Sequence, residues 1–395
     1  MKKTLLGSIA DIQTGPFGSQ LHKEDYVEKG TPIVTVEHLG NRVFTEQNLP
    51  MVSDYDKERL NKYVLCEGDI VFSRVGSVDR CSYVDSNHSG WMFSGRCLRV
   101  RPSDKLYPLY LYYYFCMEST KRFVRNIAVG ATMPSINTKL MGEVEISVPS
   151  IDTQKRIVTI LSSIDDKIEL NAVINENLEQ QAQALYRQVF VNADDNQSAT
   201  IADISLNVTD GVHNTVKDDP EGNYLLLSCK NIKGGSLSIG SSERHINKET
   251  FDKLRKRTQL AKGDILISSV GTIGETLMLN TEPKNYEFQR SVAMIKPDTK
   301  IVSSAYVYES LLYKKAELIN AAHGAVQQCL FISDICEFPI DIPSKVKLDM
   351  FNSAVIPMFD IITAKHEENQ RLAALRDILL PKLMSGELDV SQVQI

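Results

Sequence analysis

Residues 157–189, IVTILSSIDDKIELNAVINENLEQQAQALYRQV, decide the fold. Ile157, Leu161, Ile164 and Ile168 step by four, three and four. The rhythm continues through Asn171 and Asn175 to Leu178, Ala182, Leu185 and Val189. This is the spacing of about 3.5 residues that seats one α-helix along another. The same steps return near the C-terminus as Phe351, Val355, Met358 and Ile362, then Leu372, Leu375, Leu379 and Leu383. Two such helices in one chain are expected to pair as an antiparallel coiled coil. Asn175 and Asn369 fall at equivalent points of the expected seam. A buried Asn there costs stability but penalises wrong registers, in which its amide lacks a partner. The alternative is an exposed Asn at a frayed or kinked stretch.

Outward from these helices the chain repeats itself. Ile9-Ala10-Asp11-Ile12 returns as Ile201-Ala202-Asp203-Ile204, and Gly68-Asp69-Ile70 as Gly263-Asp264-Ile265. Val75-Gly76-Ser77-Val78 returns as Val270-Gly271-Thr272-Ile273, and Gly130-Ala131 as Gly324-Ala325. Pro149-Ser150 returns as Pro343-Ser344. The offsets stay near 194 residues, drifting only as small loop insertions would make them drift. One such match is chance; a series in order is a duplication.

The part of each copy that precedes the helix mixes short β-branched runs with turn residues. Residues 32–36 and 69–73 read as strands in the first copy, and 224–228 and 264–269 in the second. Helical patterns follow at 109–125 and 304–321. The expected fold is therefore α/β (α+β): two similar mixed domains, 1–150 and 200–343, alternating with helices over 151–191 and 344–386, with pseudo-two-fold symmetry. Residues 191–200, rich in Asn, Asp and Ser, read as the linker between the copies.

At 395 residues, 43% hydrophobic and 24% charged, the chain is globular rather than disordered. A formal net charge of −6 is unusual for a lone nucleic-acid binder, so any phosphate contact must come from local basic clusters or be assisted by a partner. The seven cysteines form no C-x-x-C pair and suit neither a disulfide framework nor a zinc site, which points to a reducing cytoplasm. No apolar signal core follows the basic start, and no run is long enough to cross a bilayer, so a soluble protein is expected. There is no G-x-x-x-x-G-K-[ST] loop and no Asn-Pro-Pro-aromatic tetrapeptide, which removes one kind of ATP site and an amino-methyltransferase. Asp152, Asp165 and Lys167 have a trace of a nuclease's acidic cluster, but Asp165 and Asp166 sit on the charged face of the heptad helix. No metal spacing is present among the seven histidines.

The order domain–helix–domain–helix resembles the specificity subunit of a type I restriction–modification enzyme. The detailed matches are Thr14-Gly15-Pro16-Phe17-Gly18-Ser19, the Gly130-Ala131-Thr132 turn, Thr209-Asp210-Gly211-Val212-His213, Gly324-Ala325-Val326-Gln327-Gln328, and Leu379-Leu380-Pro381-Lys382-Leu383 with Ser385-Gly386-Glu387-Leu388. The resemblance covers essentially the whole chain. It implies that each variable domain is a target-recognition domain for half of a split double-stranded DNA site, and that the helices set the gap between the halves. It also implies that two methyltransferase subunits dock on the helical region and that restriction motor subunits join them. S-adenosylmethionine, ATP and magnesium would then belong to those partners, and this chain would itself be non-catalytic. A helix of about 36 residues spans about 54 Å, long enough to hold two readers a DNA turn of about 34–36 Å apart. One departure is visible: the first helix opens with Asp152-Thr153-Gln154-Lys155-Arg156, whereas the second opens with Lys345-Val346-Lys347-Leu348-Asp349 and lacks the glutamine.

Candidate DNA contacts follow from side-chain chemistry. Thr14, Phe17, Ser19 and Gln20 lie on a glycine- and proline-bearing loop that either approaches DNA closely or is a plain surface turn. Gln can pair bidentately with adenine. The corresponding segment of the second copy offers His213 and Asn214, a different set of donors and acceptors. Arg74 and Arg80 could fork to guanine or serve as surface ion pairs; Ser269 stands where Arg74 would be in the second copy. Arg96, Arg99, Arg101 and Lys105, with Lys121, Arg122 and Arg125, are phosphate candidates in the first domain. Lys230, Lys233 and Arg290, with Lys253, Arg255, Lys256 and Arg257, are theirs in the second. A charge run is also often only a solvated face. The tyrosines at 107, 110, 112, 113 and 114 read as packing rather than as base-stacking groups. The rival function is a helical protein–protein scaffold that never touches bases, and the acidic charge favours it; an intrinsic nuclease or methyltransferase is a third.

Overall fold

The computed structural model describes residues 3–18, 20–191, 197–240, 242–324 and 328–390. Ser19, the segment 325–327 of the second glycine turn, and most of the expected linker lie outside the described residues. The chain forms two compact units, Met1–Ile168 with Gln370–Ile395, and Glu169–Asn369. The long helices Ile151–Phe190 and Lys345–Ser385 each contribute one half to each unit.

In the first unit, Ala10–Thr14, Cys97–Pro102, Ile70–Ser73 and Cys81–Tyr83 form an antiparallel sheet in that order. Ile70–Ser73 is buried along its whole length, and its two faces serve different cores. Ile70 and Phe72 pack with Leu98, Val100 and the tyrosine-rich helix, while Val71 packs with Cys97, Ile33 and Phe93 on the other side. That second core is roofed by a smaller sheet in which Thr31–Val34 runs parallel to Met92–Phe93. The second unit repeats the plan. Ser205–Asp210, Val292–Pro297, Ile265–Ser268 and Thr276–Met278 form the large sheet, and Tyr224–Leu227 runs parallel to Tyr286–Phe288 in the small one. Ile265 and Ile267 again face one core and Leu266 the other.

The repeated Gly-Asp-Ile motif has a local cause. Gly68 and Gly263 take φ of +91° and +92°, a turn that L side chains resist. The following Asp is buried: Asp69 accepts from the Cys66 N–H at 2.8 Å, and Asp264 from that of Ala261 at 2.9 Å. A cation on the neighbouring strand neutralises each, Arg101 at 2.7 Å and Lys296 at 2.8 Å. Burial still lifts the Asp264 carboxyl above its ordinary value, with Lys296 working against it.

Each expected helix after the sheet is two helices. Pro108–Cys116 is followed by Glu118–Ile127, and Ser304–Tyr313 by Lys315–Asn320. The first segments are buried on nearly all sides, so a straight continuation would drive Lys121, Arg122 and Arg125 through the core; the chain turns at Met117 instead. Tyr110, Tyr112, Tyr113 and Tyr114 are core residues as their packing pattern suggests, and Tyr110 and Tyr114 donate to the Ser147 and Glu145 carbonyls.

The long helices pack against each other within each unit. Ile157 and Leu161 share a core with Leu380, Leu383 and Met384 in the first; Ala182, Tyr186 and Phe190 share one with Phe351, Val355, Phe359 and Ile362 in the second. Partners therefore run in opposite chain directions, as an antiparallel pair requires. Ile157, Leu161, Ile164, Val355 and Ile362 are buried seam residues, but Ile168, Leu178, Leu185, Leu372 and Leu379 are only half-buried and Leu375 is exposed. At three places the burial passes to the next residue, from Leu185 to Tyr186, Met358 to Phe359 and Leu379 to Leu380, while Ala182 and Leu383 stay buried. A helix of 3.6 residues per turn drifts by about 20° per heptad from a strict seven-residue repeat, which widens the buried stripe towards the following residue. Asn175 is buried but donates to the Ile362 carbonyl at 3.4 Å, and Asn369 instead accepts from the buried Asn171 at 2.8 Å.

Equivalent places in the two units are filled by different chemistry. Gln154 is fully buried, accepting from the Tyr107 N–H at 2.7 Å and donating to the Lys105 and Pro149 carbonyls; its counterpart is the apolar Leu348. Asp165, also buried, accepts from the Tyr113 hydroxyl at 2.7 Å and pairs with Arg376 at 2.9 Å. Burial alone would lower the Arg376 pKa; its bonds to Asp165 and Asp377 hold it well above the ordinary value. In the second unit these three places hold Glu309, Phe359 and Ala182. Glu309 is buried, its Oε2 has no partner among the described residues, and burial with Glu179 nearby pushes its pKa up to about 8.

Two expectations follow. Arg376→Leu strands a buried carboxylate and should cost about 3 kcal/mol in urea unfolding, whereas Asp165→Phe with Arg376→Ala, which copies two of the second unit's three places, should recover most of that loss. Because the folded Glu309 carboxyl titrates near 8 and an unfolded one near 4.5, the folded state holds the proton more tightly. Stability should therefore fall as pH rises through that window. Thermal melts of Glu309→Gln between about pH 5 and 9 should lack that decline.

Candidate nucleic-acid interface

One end of each large sheet gathers four loops through the same backbone bonds. The Gly15 N–H donates to the Cys97 carbonyl and the Arg74 N–H to that of Arg96, while the Ile136 N–H donates to the Arg74 carbonyl. In the second unit the matching donors and acceptors are Gly211 to Val292, Ser269 to Ser291 and Leu330 to Ser269. The fourth loop closes as a Val129–Ser135 bridge in one and a His323–Cys329 bridge in the other. Gly15 and Gly95 let two loops touch: a Cβ on Gly15 would lie 2.1 Å from the Ser94 carbonyl oxygen, and one on Gly95 2.3 Å from that of Pro16.

On this common frame the exposed groups differ. In the first unit Phe17 is 50% exposed, and the Arg74 guanidinium lies 5.1 Å from its ring centroid. Arg96 is exposed, with no side-chain partner among the described residues. Phe17, Gly18, Lys23, Asn48, Gly95 and Arg96 help line a cleft of about 890 Å³. Thr14 ends its strand half-buried, opposite Leu98. In the second unit His213 is exposed and held at 2.7 Å by Asp210, Asn214 is exposed, and Arg290 is exposed without a side-chain partner among the described residues. Lys230 is tied to Glu243 at 3.0 Å beside a smaller cleft of about 310 Å³ that Arg244 and Gln289 also line; Lys233 is exposed.

Several expected contacts prove structural. Arg99 is buried and ion-paired with Asp11, and Arg101 serves Asp69, so neither guanidinium is free for phosphate. Both project from the central strand Cys97–Pro102, where a basic residue is admitted only with a carboxylate beside it. Ser269 is buried with its hydroxyl on the Arg290 carbonyl. The Gln20 amide oxygen is taken by the Tyr63 hydroxyl at 2.7 Å, and Arg80 binds the Leu39 carbonyl. Arg125 pairs with Asp79 and Glu118, Arg255 with the buried Glu287, and Arg257 with the Asp210 and Gly211 carbonyls. Lys23, Asn48, Arg244 and Gln289 were not legible as site residues, because they belong to no repeated motif.

The model of the type I restriction modification DNA specificity domain matches residues 1–180. The chain is 27% identical over 327 residues to the MjaIX specificity subunit of Methanocaldococcus jannaschii, covering 74% of this chain and 72% of that one. It is 24% identical over 412 residues to the HindI specificity subunit of Haemophilus influenzae, covering 83% and 88%. Residues 1–180 thus match the type I specificity domain, and the chain as a whole is similar to type I specificity subunits. A solved S subunit from M. genitalium shares the fold with a TM-score of 0.60 at 16% identity, over 97% of this chain and 95% of that one. Among the described residues, no helix is long and apolar enough to cross a membrane, and no three His, Cys, Asp or Glu side chains are grouped to hold a metal ion.

Arg96 and Arg290 are the exposed guanidinia of the two loop clusters that lack an internal partner among the described residues. Arg96→Ala and Arg290→Ala should each make the slope of log K against log salt shallower by about 0.9, with the melting temperature unchanged. Fluorescence anisotropy with labelled DNA over a salt series measures the slope, and thermal melts check the fold.

Proposed function

We propose that this chain is the non-catalytic DNA reader of a type I restriction–modification enzyme. Its two target-recognition domains, 1–150 and 200–343, read the two halves of a split double-stranded target, and the helices between them set the gap. Two methyltransferase subunits and the restriction motor subunits assemble on it in the cytoplasm. They bring S-adenosylmethionine, ATP and magnesium, so the chemistry lies outside this chain.

The observation that carries this reading is the duplicated loop frame: matching backbone bonds hold loops that expose Phe17 and Arg96 in one copy and His213, Asn214 and Arg290 in the other. A shared frame with exchanged side chains is what two readers of different sequences need. The spacer role draws support from the continuity of the helices, 40 and 41 residues, or about 60 Å each.

A second reading, a protein scaffold without base contacts, is favoured by the net charge of −6 and by the internal pairing of Arg99, Arg101, Arg125 and Arg255. Co-expression with the methyltransferase followed by adenine-methylation mapping separates the two. The DNA-reader proposal expects one split motif, and exchange of residues 1–150 for a related domain should change one half only. A contiguous motif, no motif, or no change on domain exchange would sink it.

A further inference from the structure

Arg74 differs from every other basic residue of the first loop cluster. Its backbone is held from both sides, by the Arg96 carbonyl at 2.8 Å and the Ile136 N–H at 2.9 Å, so its Cα is as fixed as a strand residue. Its guanidinium lies over the exposed Phe17 ring, and Nη1 donates to the Gly95 carbonyl at 3.1 Å. Nε is enclosed without a partner, while Nη2 is neither enclosed nor bonded among the described residues. Arg99, Arg101 and Arg125 are spent on carboxylates, and Arg96 is exposed and untethered.

We propose that Arg74, seated on Phe17, is the base-reading side chain of the first domain and selects a guanine in its half of the target; this rests on the DNA-reader function above. The outer edge of the guanidinium, Nη2 with the second hydrogen of Nη1, presents two parallel donors. Guanine offers two acceptors, O6 and N7, at the matching spacing in the major groove. A phosphate needs only charge, which Arg96 next to it supplies on a freer side chain. Tethering Arg74 to one ring and one carbonyl removes rotamer freedom before DNA arrives, so a wrong base is not rescued by rearrangement. Phe17 is the positioning residue; Gly15 and Gly95 bring its loop against the loop of Ser94 and Gly95, whose Gly95 carbonyl also holds the Arg74 guanidinium.

The second domain shows that the frame itself does not require the arginine. At the same backbone position Ser269 makes the same bond, to the Ser291 carbonyl, and turns its hydroxyl inward; His213 stands in the place of Phe17. The guanine preference is therefore a property of the first half of the target alone, and Arg74→Ser is a substitution the fold already tolerates in its other copy.

The test is methylation mapping with the chain and its methyltransferase co-expressed. The wild type should give a split motif with an obligatory guanine at one position of the half that exchange of residues 1–150 alters. Arg74→Ser should relax that position alone, lowering discrimination by about tenfold to a hundredfold, with the other half intact. Arg74→Gln should move the preference at that position towards adenine, and Phe17→Ala should relax the same position. An unchanged motif in Arg74→Ser and Arg74→Gln, or a uniform loss of methylation at every sequence with a shallower salt slope, would overturn the assignment. A wild type without a split motif would instead overturn the DNA-reader function.

Discussion

A central strand buried on both faces is the constraint from which the rest follows. Ile70 to Ser73 and Ile265 to Ser268 each feed two cores, so a slip of one residue would exchange the contents of both. With register so strongly specified, the loops at the strand ends are delivered to fixed places. The glycine turn and the neutralised Asp before each strand fix where it begins. A recognition surface can then vary its exposed side chains without disturbing the frame beneath, since the loops are joined by backbone bonds that no side chain supplies.

Duplication has left the frame common and the interior free to diverge. Where the first unit uses Gln154 and the Tyr113–Asp165–Arg376 cluster, the second uses Leu348, Phe359 and Ala182. The two solutions bind the paired helices differently. Directional polar bonds admit one geometry, whereas aromatic packing of Tyr186, Phe190, Phe351 and Tyr306 is bulk burial with looser angular demands. Glu309 marks that divergence: an acid buried where the first unit has Tyr113, with its Oε2 unpartnered among the described residues and Arg187 only partly offsetting the burial.

The duplication, the mixed α/β domains and the paired helices were legible because each rests on periodic burial, and burial leaves a periodic trace in the residue order. The details that were not legible have separate physical reasons. The seam gains Tyr186, Phe359 and Leu380 because 3.6 residues per turn does not keep step with a seven-residue repeat. Leu375 is exposed and Asn369 meets Asn171 rather than standing alone, because pairing depends on which residue lies opposite in the other helix. The single helices expected at 109–125 and 304–321 break because burial on all sides cannot continue into a basic segment.

Among the candidate contacts, composition named the basic residues but could not tell which were already engaged. Arg74, Arg96, Arg99 and Arg101 are equally basic in the sequence. Only the fold places Asp11 beside Arg99, Asp69 beside Arg101 and Phe17 beneath Arg74. The residue order by itself determined a repeated pair of domains and helices, since hydrophobic patterning and turn chemistry act over short stretches. The tertiary structure alone decided which charges remain available, because an ion pair forms between groups that distant strands bring within a few ångströms.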